Sequence, residues 1–219
     1  MKTLHILDHR IWFPPLGEAD AEGLLAAGGD LSTERLIKAY RSGIFPWYEG
    51  DIPLWWSPDP RFVLFPDECY VSKSMKQVFR RNQFSFTRNK AFAEVIRSCS
   101  KIARPGQAGT WITPAIIDSF EVLFKMGLAQ SFEAWQDGKL AGGLYGIKMG
   151  NVFFGESMFT MVPNASKAVF IWSVNQLKQE GVALIDCQVY TEHLESLGAR
   201  FIKRDEFIAL LDANIPAQP

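Results

Sequence analysis

Residues 130–158 carry the pattern that most limits the possible folds. Two β-type runs, 130–136 and 139–149, are separated by Asp137-Gly138, a dipeptide suited to the positive φ angles of a tight hairpin turn. Gly150-Asn151 marks a second reversal, and a third run covers 152–158. Turns this short allow only an antiparallel three-strand meander. Asn164 then caps a predicted helix that runs to Glu180, and 182–188 is a largely apolar strand. A strand reached from the meander through a helical crossover can lie parallel to its neighbour. The expected sheet is therefore mixed, with its fourth and fifth strands parallel.

Upstream, 61–65 reads as a short strand and 72–80 as a helix. Asn89 is the expected cap of the next helix, which places Phe92, Val95, Ile96 and Cys99 on one face. Thr113-Pro114 opens another, whose apolar stripe is Ile116, Ile117, Phe120, Leu123 and Phe124 and whose end is Gly127. A short helix at 191–197, a last strand and a helix from Asp205 finish the chain. The front differs: seven of twelve prolines and four of seven tryptophans precede residue 67. Its one regular pattern is a helix that opens at Asp30-Leu31-Ser32, buries Leu36, Ile37 and Tyr40, and stops at Gly43. The fold class is α+β, with a small loop-rich domain over 1–62 and a mixed-sheet domain over 63–219.

The net charge of −1 hides a strong segregation. Residues 73–104 hold nine basic side chains and one acidic one, a net +8 that leaves −9 for the remainder. Such a division suits a polyanion-binding face on an acidic body; a solvated helical surface is the alternative. The longest stretch without charge is thirteen residues, whereas a membrane span needs about 20 apolar ones. Charges within the first ten residues interrupt any secretory core. Cys69, Cys99 and Cys187 are three, far apart and without a Cys-x-x-Cys pair, so the expected compartment is the reducing cytoplasm.

Chemistry concentrates near the end of the meander and on the apolar strand. Asp186 follows Ala183-Leu184-Ile185, so it is expected to be buried and to need partners. Gln188, two residues on, falls on the same strand face, where its amide could bond the Asp186 carboxylate. Glu156 completes the polar group, for which a purely structural cluster is the alternative. Gly155-Glu156-Ser157-Met158-Phe159 is most of a nucleophile elbow, and Ser157, Asp186 and His193 follow the order of a hydrolase triad, but Phe159 replaces the final glycine. His5 and His9 share helical spacing without a third ligand, so no metal site is expected. Walker and Gly-x-Gly-x-x-Gly loops are absent; Gly142-Gly143-Leu144-Tyr145-Gly146 lies in a strand, and Arg104-Pro105-Gly106-Gln107-Ala108-Gly109 is misspaced for a pyrophosphate loop. No cofactor is expected.

The element order resembles the N-acetyltransferase-like (GNAT-like) acyltransferases, in which the donor lies where the two parallel strands splay. That resemblance puts Gly155-Glu156-Ser157 and Asp186-Cys187-Gln188 at the site. Nine motifs in order narrow it further: Gly28 to Ser32, Gly43 to Trp47, Trp55 to Arg61, Ser74 to Lys76, Thr110 to Thr113, Gly155 to Phe159, Asn164 to Lys167, Asp186 to Gln188 and Ser196 to Ala199. Together they resemble the leucyl/phenylalanyl-tRNA–protein transferase family.

The resemblance implies transfer of leucine or phenylalanine from Leu-tRNA or Phe-tRNA to proteins beginning with Arg or Lys, which creates a degradation signal. It further implies that Trp47 and Trp111 stack the terminal adenosine and that Leu144, Phe153, Phe170, Leu177 and Ile185 wall the amino-acid pocket. Ser173 stands where the family pattern has a large apolar residue, and Trp172 is the nearest substitute for it. Asp186, Gln188 and Glu156 match the catalytic and acceptor-contacting positions, and Lys73, Lys76, Arg80 and Arg81 supply the tRNA face. The bottom-up features agree with such chemistry: an aminoacyl ester is already activated, and an α-amino nucleophile with a pKa of about 7.7–8.0 is partly neutral near physiological pH. A monomer with no membrane partner is expected. An RNA-binding module without catalysis is the reading from another class, and it leaves Glu156, Asp186 and Gln188 without a task.

Overall fold

A computed structural model of the chain describes residues 4–102 and 110–217. Its front is more ordered than its prolines predict. Strands β1 (His5–Leu7), β2 (Leu24–Gly28), β3 (Phe45–Pro46) and β4 (Leu54–Trp56) pair in the order β1-β2-β4-β3. Runs of two to five residues between prolines are too short to show an alternating pattern, which is why the sequence reads there as loops. Helix α1 (Thr33–Arg41) begins as expected, with the Ser32 hydroxyl accepting from the Arg35 N–H. Leu36 and Tyr40 are buried, whereas Ile37 is only half-buried at the helix edge.

The larger part holds β5 (Arg61–Leu64), α2 (Lys73–Arg80), β6 (Ser85–Arg88), α3 (Phe92–Lys101), α4 (Pro114–Lys125), β7 (Ala129–Gln136), β8 (Lys139–Met149), β9 (Val152–Thr160), α5 (Ala165–Gln179), β10 (Leu184–Gln188), α6 (Glu192–Glu195), β11 (Arg200–Ile202) and α7 (Arg204–Asn214). The sheet order is β11-β5-β10-β9-β8-β7-β6, antiparallel except for the β9–β10 pair. Asp137 and Gly138 take φ of 51° and 73°, as the hairpin requires. Strand β6, an edge strand against β7, is not expected from the sequence. Asn89 is not a cap. It turns with φ +58° and its Oδ1 accepts from the Ser131 N–H at 2.9 Å, so the helix starts only at Phe92. Asn164 does stand at the head of α5, but through a left-handed backbone, without a side-chain bond.

Alternation along the strands sorts side chains onto two faces. Leu144, Phe153 and Ile185 join α5 residues Phe170 and Leu177 in one apolar cluster. Tyr145 and Phe154 point the other way, into a cluster with Tyr40 of α1, Trp55 of β4, Phe120 of α4 and Phe207 of α7. The small front sheet thus shares a core with one face of the large one. Glycine makes room on the other: a Cβ on Gly146 would come within 2.6 Å of the Phe153 ring.

Candidate active site

Strand β10 follows β9 for three register pairs, Leu184↔Val152, Ile185↔Phe153 and Asp186↔Phe154, and there the pairing ends. Strand β9 continues to Thr160 against β8 alone. On its other side β10 pairs with β5, with a bulge between Asp186 and Gln188. Gln188 takes φ +64°, a conformation that costs a non-glycine residue about 1–3 kcal/mol and must be held by its surroundings. A cavity of about 450 Å³ opens where β9 and β10 part.

What holds the bulge is a buried ion pair. Arg61, the first residue of β5, donates to both Asp186 oxygens at 2.8 and 2.7 Å, and also to the Gly43 carbonyl at 3.2 Å. Its guanidinium lies between the rings of Phe45 and Phe207, 4.7 and 4.6 Å from their centroids. Arg61 and Asp186 are 1% and 0% exposed, so neither charge has water to fall back on. Asp186 Oδ1 also accepts from the Gln188 backbone N–H at 2.9 Å.

The Gln188 side chain goes elsewhere: its Nε2 donates to Glu156 Oε1 at 2.9 Å. Counting two residues along a regular strand puts that amide on Asp186 instead. The bulge breaks the count, and only the backbone reaches Asp186. Burial pushes the Glu156 carboxyl up to about 8, with the negative Asp186 adding to it, while Tyr40, Gln188 and Arg61 pull it down. Oε2 of Glu156 has no partner within hydrogen-bond limits, although the buried Tyr40 hydroxyl is near enough to favour its anion. Burial, and then Glu156, push Tyr40 well above the usual phenol range.

Arg61, the partner of Asp186, has no role in the sequence reading beyond its place in the Trp55-to-Arg61 motif. The signal is present: an arginine opening the apolar run Phe62-Val63-Leu64 must find a counter-charge if the run is buried, and Asp186 poses the same question from another strand. The pair also disposes of the hydrolase alternative. Both Asp186 oxygens are taken by Arg61, with the Gln188 N–H on one of them, and His193 Nε2, the nitrogen that would have to deprotonate Ser157, has no hydrogen-bond partner.

Leu144, Phe153, Phe170, Leu177 and Ile185 line the same cavity as Trp47, Trp111, Glu156, Asp186 and Gln188. Ser173 lines it as well, its hydroxyl donating to the Phe170 carbonyl at 2.8 Å. Trp172 does not substitute for it. That ring stacks on Phe86, 5.4 Å away, outside the cavity. His193 is a further lining residue, its imidazole pKa lowered by burial and by Lys167. His5 bonds Glu18, and no cluster of metal-ligating side chains occurs among the described residues.

The basic segment divides. Lys73, Lys76, Arg80 and Arg81 are exposed on or just after α2 and form no ion pair among the described residues. Arg88 is bound to Glu180 and Gln130 over the Phe132 ring, and Arg97 pairs with Glu121 at 2.6 Å. Arg104, with the rest of Arg104 to Gly109, lies outside the described residues. Lys90 and Lys101 are exposed as well and form no ion pair among the described residues, so the free positive charge covers α2 and the residue after it and flanks α3.

An antiparallel meander, a helical crossover and a parallel pair that parts at a buried polar group define an N-acetyltransferase-like acyltransferase fold, with the cavity at the parting. The family model for leucyl/phenylalanyl-tRNA protein transferase matches residues 63–212, and that of its N-terminal domain matches 29–59. The chain belongs to this family and is an aminoacyltransferase. The leucyl/phenylalanyl-tRNA–protein transferase of Flavobacterium johnsoniae is 54% identical over 212 residues, which is 96% of this chain and all of that one. The protein of the same name from Syntrophobacter fumaroxidans is 52% identical over 211 residues, covering 96% and 90%. Among solved structures, a GCN5-related N-acetyltransferase-like protein from Streptococcus suis aligns with 76% of this chain, which spans 62% of that one, at 12% identity and a TM-score of 0.38. A conserved protein of unknown function from Bacteroides thetaiotaomicron aligns over 78% and 62%, at 11% identity and a TM-score of 0.48. No helix among the described residues is long and apolar enough to cross a membrane.

Proposed function

We propose that this chain takes the leucyl or phenylalanyl group from the 3′ end of aminoacyl-tRNA and joins it to the α-amino group of an acceptor protein beginning with Arg or Lys, as a cytoplasmic monomer that marks the acceptor for degradation. One observation carries the reading: a single cavity brings together an apolar pocket, two tryptophans and the Glu156–Gln188 pair. The front of the chain contributes Trp47, and the larger part supplies most of the cavity. Leu144, Phe153, Phe170, Leu177 and Ile185 take the aminoacyl side chain, and the small Ser173 leaves depth for a phenyl ring. Trp47 and Trp111 stack the terminal adenine, each stacked ring being worth about 1–3 kcal/mol. Lys73, Lys76, Arg80 and Arg81 meet the tRNA backbone.

With an activated ester as donor, the rate depends on positioning and on charge stabilisation. Gln188 keeps one amide hydrogen on Glu156 and turns the other toward the oxyanion of the tetrahedral intermediate. Arg61 touches no reactant; it is a positioning residue that fixes Asp186, which in turn fixes the Gln188 backbone. Since both Asp186 oxygens accept from Arg61, Asp186 is not the base. Glu156 is mostly protonated in the empty site, and the arriving cationic acceptor favours its anion. With its own proton lost to solvent as the cation binds, the Glu156 carboxylate takes a proton from the neutral α-amine as the C–N bond forms and returns it to the ribose 3′ oxygen as the ester C–O bond breaks.

The test is one incubation with labelled Leu-tRNA and peptides beginning with Arg, Lys or Asp. Label is expected on the Arg and Lys peptides. Tight tRNA binding with no transfer to any peptide would reduce the chain to an RNA-binding module, and label on the Asp peptide alone would reassign its acceptor.

A further inference from the structure

Gln188 stands in a wall between two spaces. The donor cavity lies on one side. On the other, a groove of about 310 Å³ shares Phe45, Trp47, Gln188 and Val189 with that cavity and runs outward past Trp56 to Tyr190 and Phe201. Tyr190 and Phe201 stack at 17° with centroids 6.0 Å apart, yet stay 45% and 50% exposed. The Tyr190 hydroxyl is tied to Glu195 at 2.8 Å, and Phe201 lies on the edge strand β11, where its ring meets Phe62. Large rings left half-bare beside an active site mark a surface that something else covers. The groove carries no Lys or Arg, and its one charged side chain is the acidic Glu22, so it offers nothing to a phosphate and suits a cationic polypeptide.

We infer that the acceptor polypeptide leaves the site along this groove, its second residue lodged between Trp56 and the Tyr190–Phe201 pair, so that apolar or aromatic side chains are favoured there and acidic ones disfavoured. This rests on the proposed meeting of donor and acceptor at Gln188. A volume of about 310 Å³ admits one or two residues, which confines the preference to the start of the chain.

The test uses the full chain, Leu-tRNA and peptides Arg-X-Gly-Ser with X as Phe, Leu, Ala, Lys or Asp, beside arginine amide, which has no second residue. Wild type should lose about tenfold in kcat/KM from X = Phe to X = Asp, mainly through KM. In Tyr190→Ala and Phe201→Ala the ratio should shrink to about twofold, while arginine amide and the KM for Leu-tRNA stay unchanged. Should loss of a ring unfold the protein, Glu22→Lys on the exposed rim carries the test, and it should raise X = Asp relative to X = Lys. A flat wild-type series overturns the inference, as does an equal loss on arginine amide. A raised KM for Leu-tRNA would assign the groove to RNA. If wild type transfers to none of these acceptors, including arginine amide, the reading of the whole site fails first.

Discussion

Strand β10 has two neighbours, and they treat it differently. Toward β5 it is saturated: Arg61 meets both Asp186 oxygens, two aromatic rings cover the guanidinium, and the bulged Gln188 N–H is bonded. Toward β9 it is unfinished, for pairing stops at Phe154, Glu156 has a single bond from Gln188, and its other oxygen has no partner in hydrogen-bond geometry. Two buried carboxylates thus come to opposite conditions. The one that is fully paired holds the bulge, and the one left partly unpaired lines the cavity, where the proposed mechanism uses its perturbed ionisation.

The heaviest blow to that contrast is Arg61→Met, which strands a buried carboxylate and should cost about 3–5 kcal/mol in denaturant unfolding. Arg61→Met combined with Asp186→Leu should regain most of that stability while transfer stays low. Recovery of both together would deny Arg61 a positioning role. Gln188→Ala attacks the open side and is expected to cut turnover about 10²-fold, while its stability cost, about 1–3 kcal/mol for the bond lost to Glu156, stays below that of Arg61→Met. A stability loss as large as that of Arg61→Met would erase the distinction between the two sides. Ser173→Leu fills the pocket floor and should lower Phe transfer relative to Leu by about tenfold, read as the ratio of kcat/KM values.

Smaller effects sharpen the contrast. Glu156 binds its proton more tightly when folded, at about 8, than at the ordinary value of 4.5, so its contribution is fully present below pH 4.5 and is lost as pH rises through about 8. Stability should therefore decline across that interval and then level off, and Glu156→Gln should flatten the decline; an unaltered profile would place its origin elsewhere. Neutralising Lys73, Lys76, Arg80 and Arg81 should reduce the salt slope of tRNA affinity by roughly 0.7 for each phosphate that no longer meets a cation. The same change at Arg88, already bound to Glu180, should instead lower stability and leave the slope alone.

Much of this is legible in the residues. The Asp137-Gly138 turn, the cap at Thr113 and the capped start at Ser32 are local chemistry, and each element begins where that chemistry places it. Leu144, Phe153 and Ile185 share a face because strand alternation is also local. The front sheet is illegible because its strands are shorter than the period needed to recognise them. Asn89 misleads because its side chain bonds a residue 42 positions away rather than the next turn.

The sequence by itself determined the order of elements from β7 to the last helix, the mixed sheet and most of the residues that could carry chemistry, since these depend on propensities and periods written within a few positions. Only the tertiary structure decided that Arg61 meets Asp186 across 125 residues, that Gln188 turns to Glu156 rather than to its own strand neighbour, and that one carboxylate is paired while the other is not. Burial and charge pairing are properties of the assembled chain: a carboxylate's neighbours exist only once distant strands have come together and water has been excluded from between them.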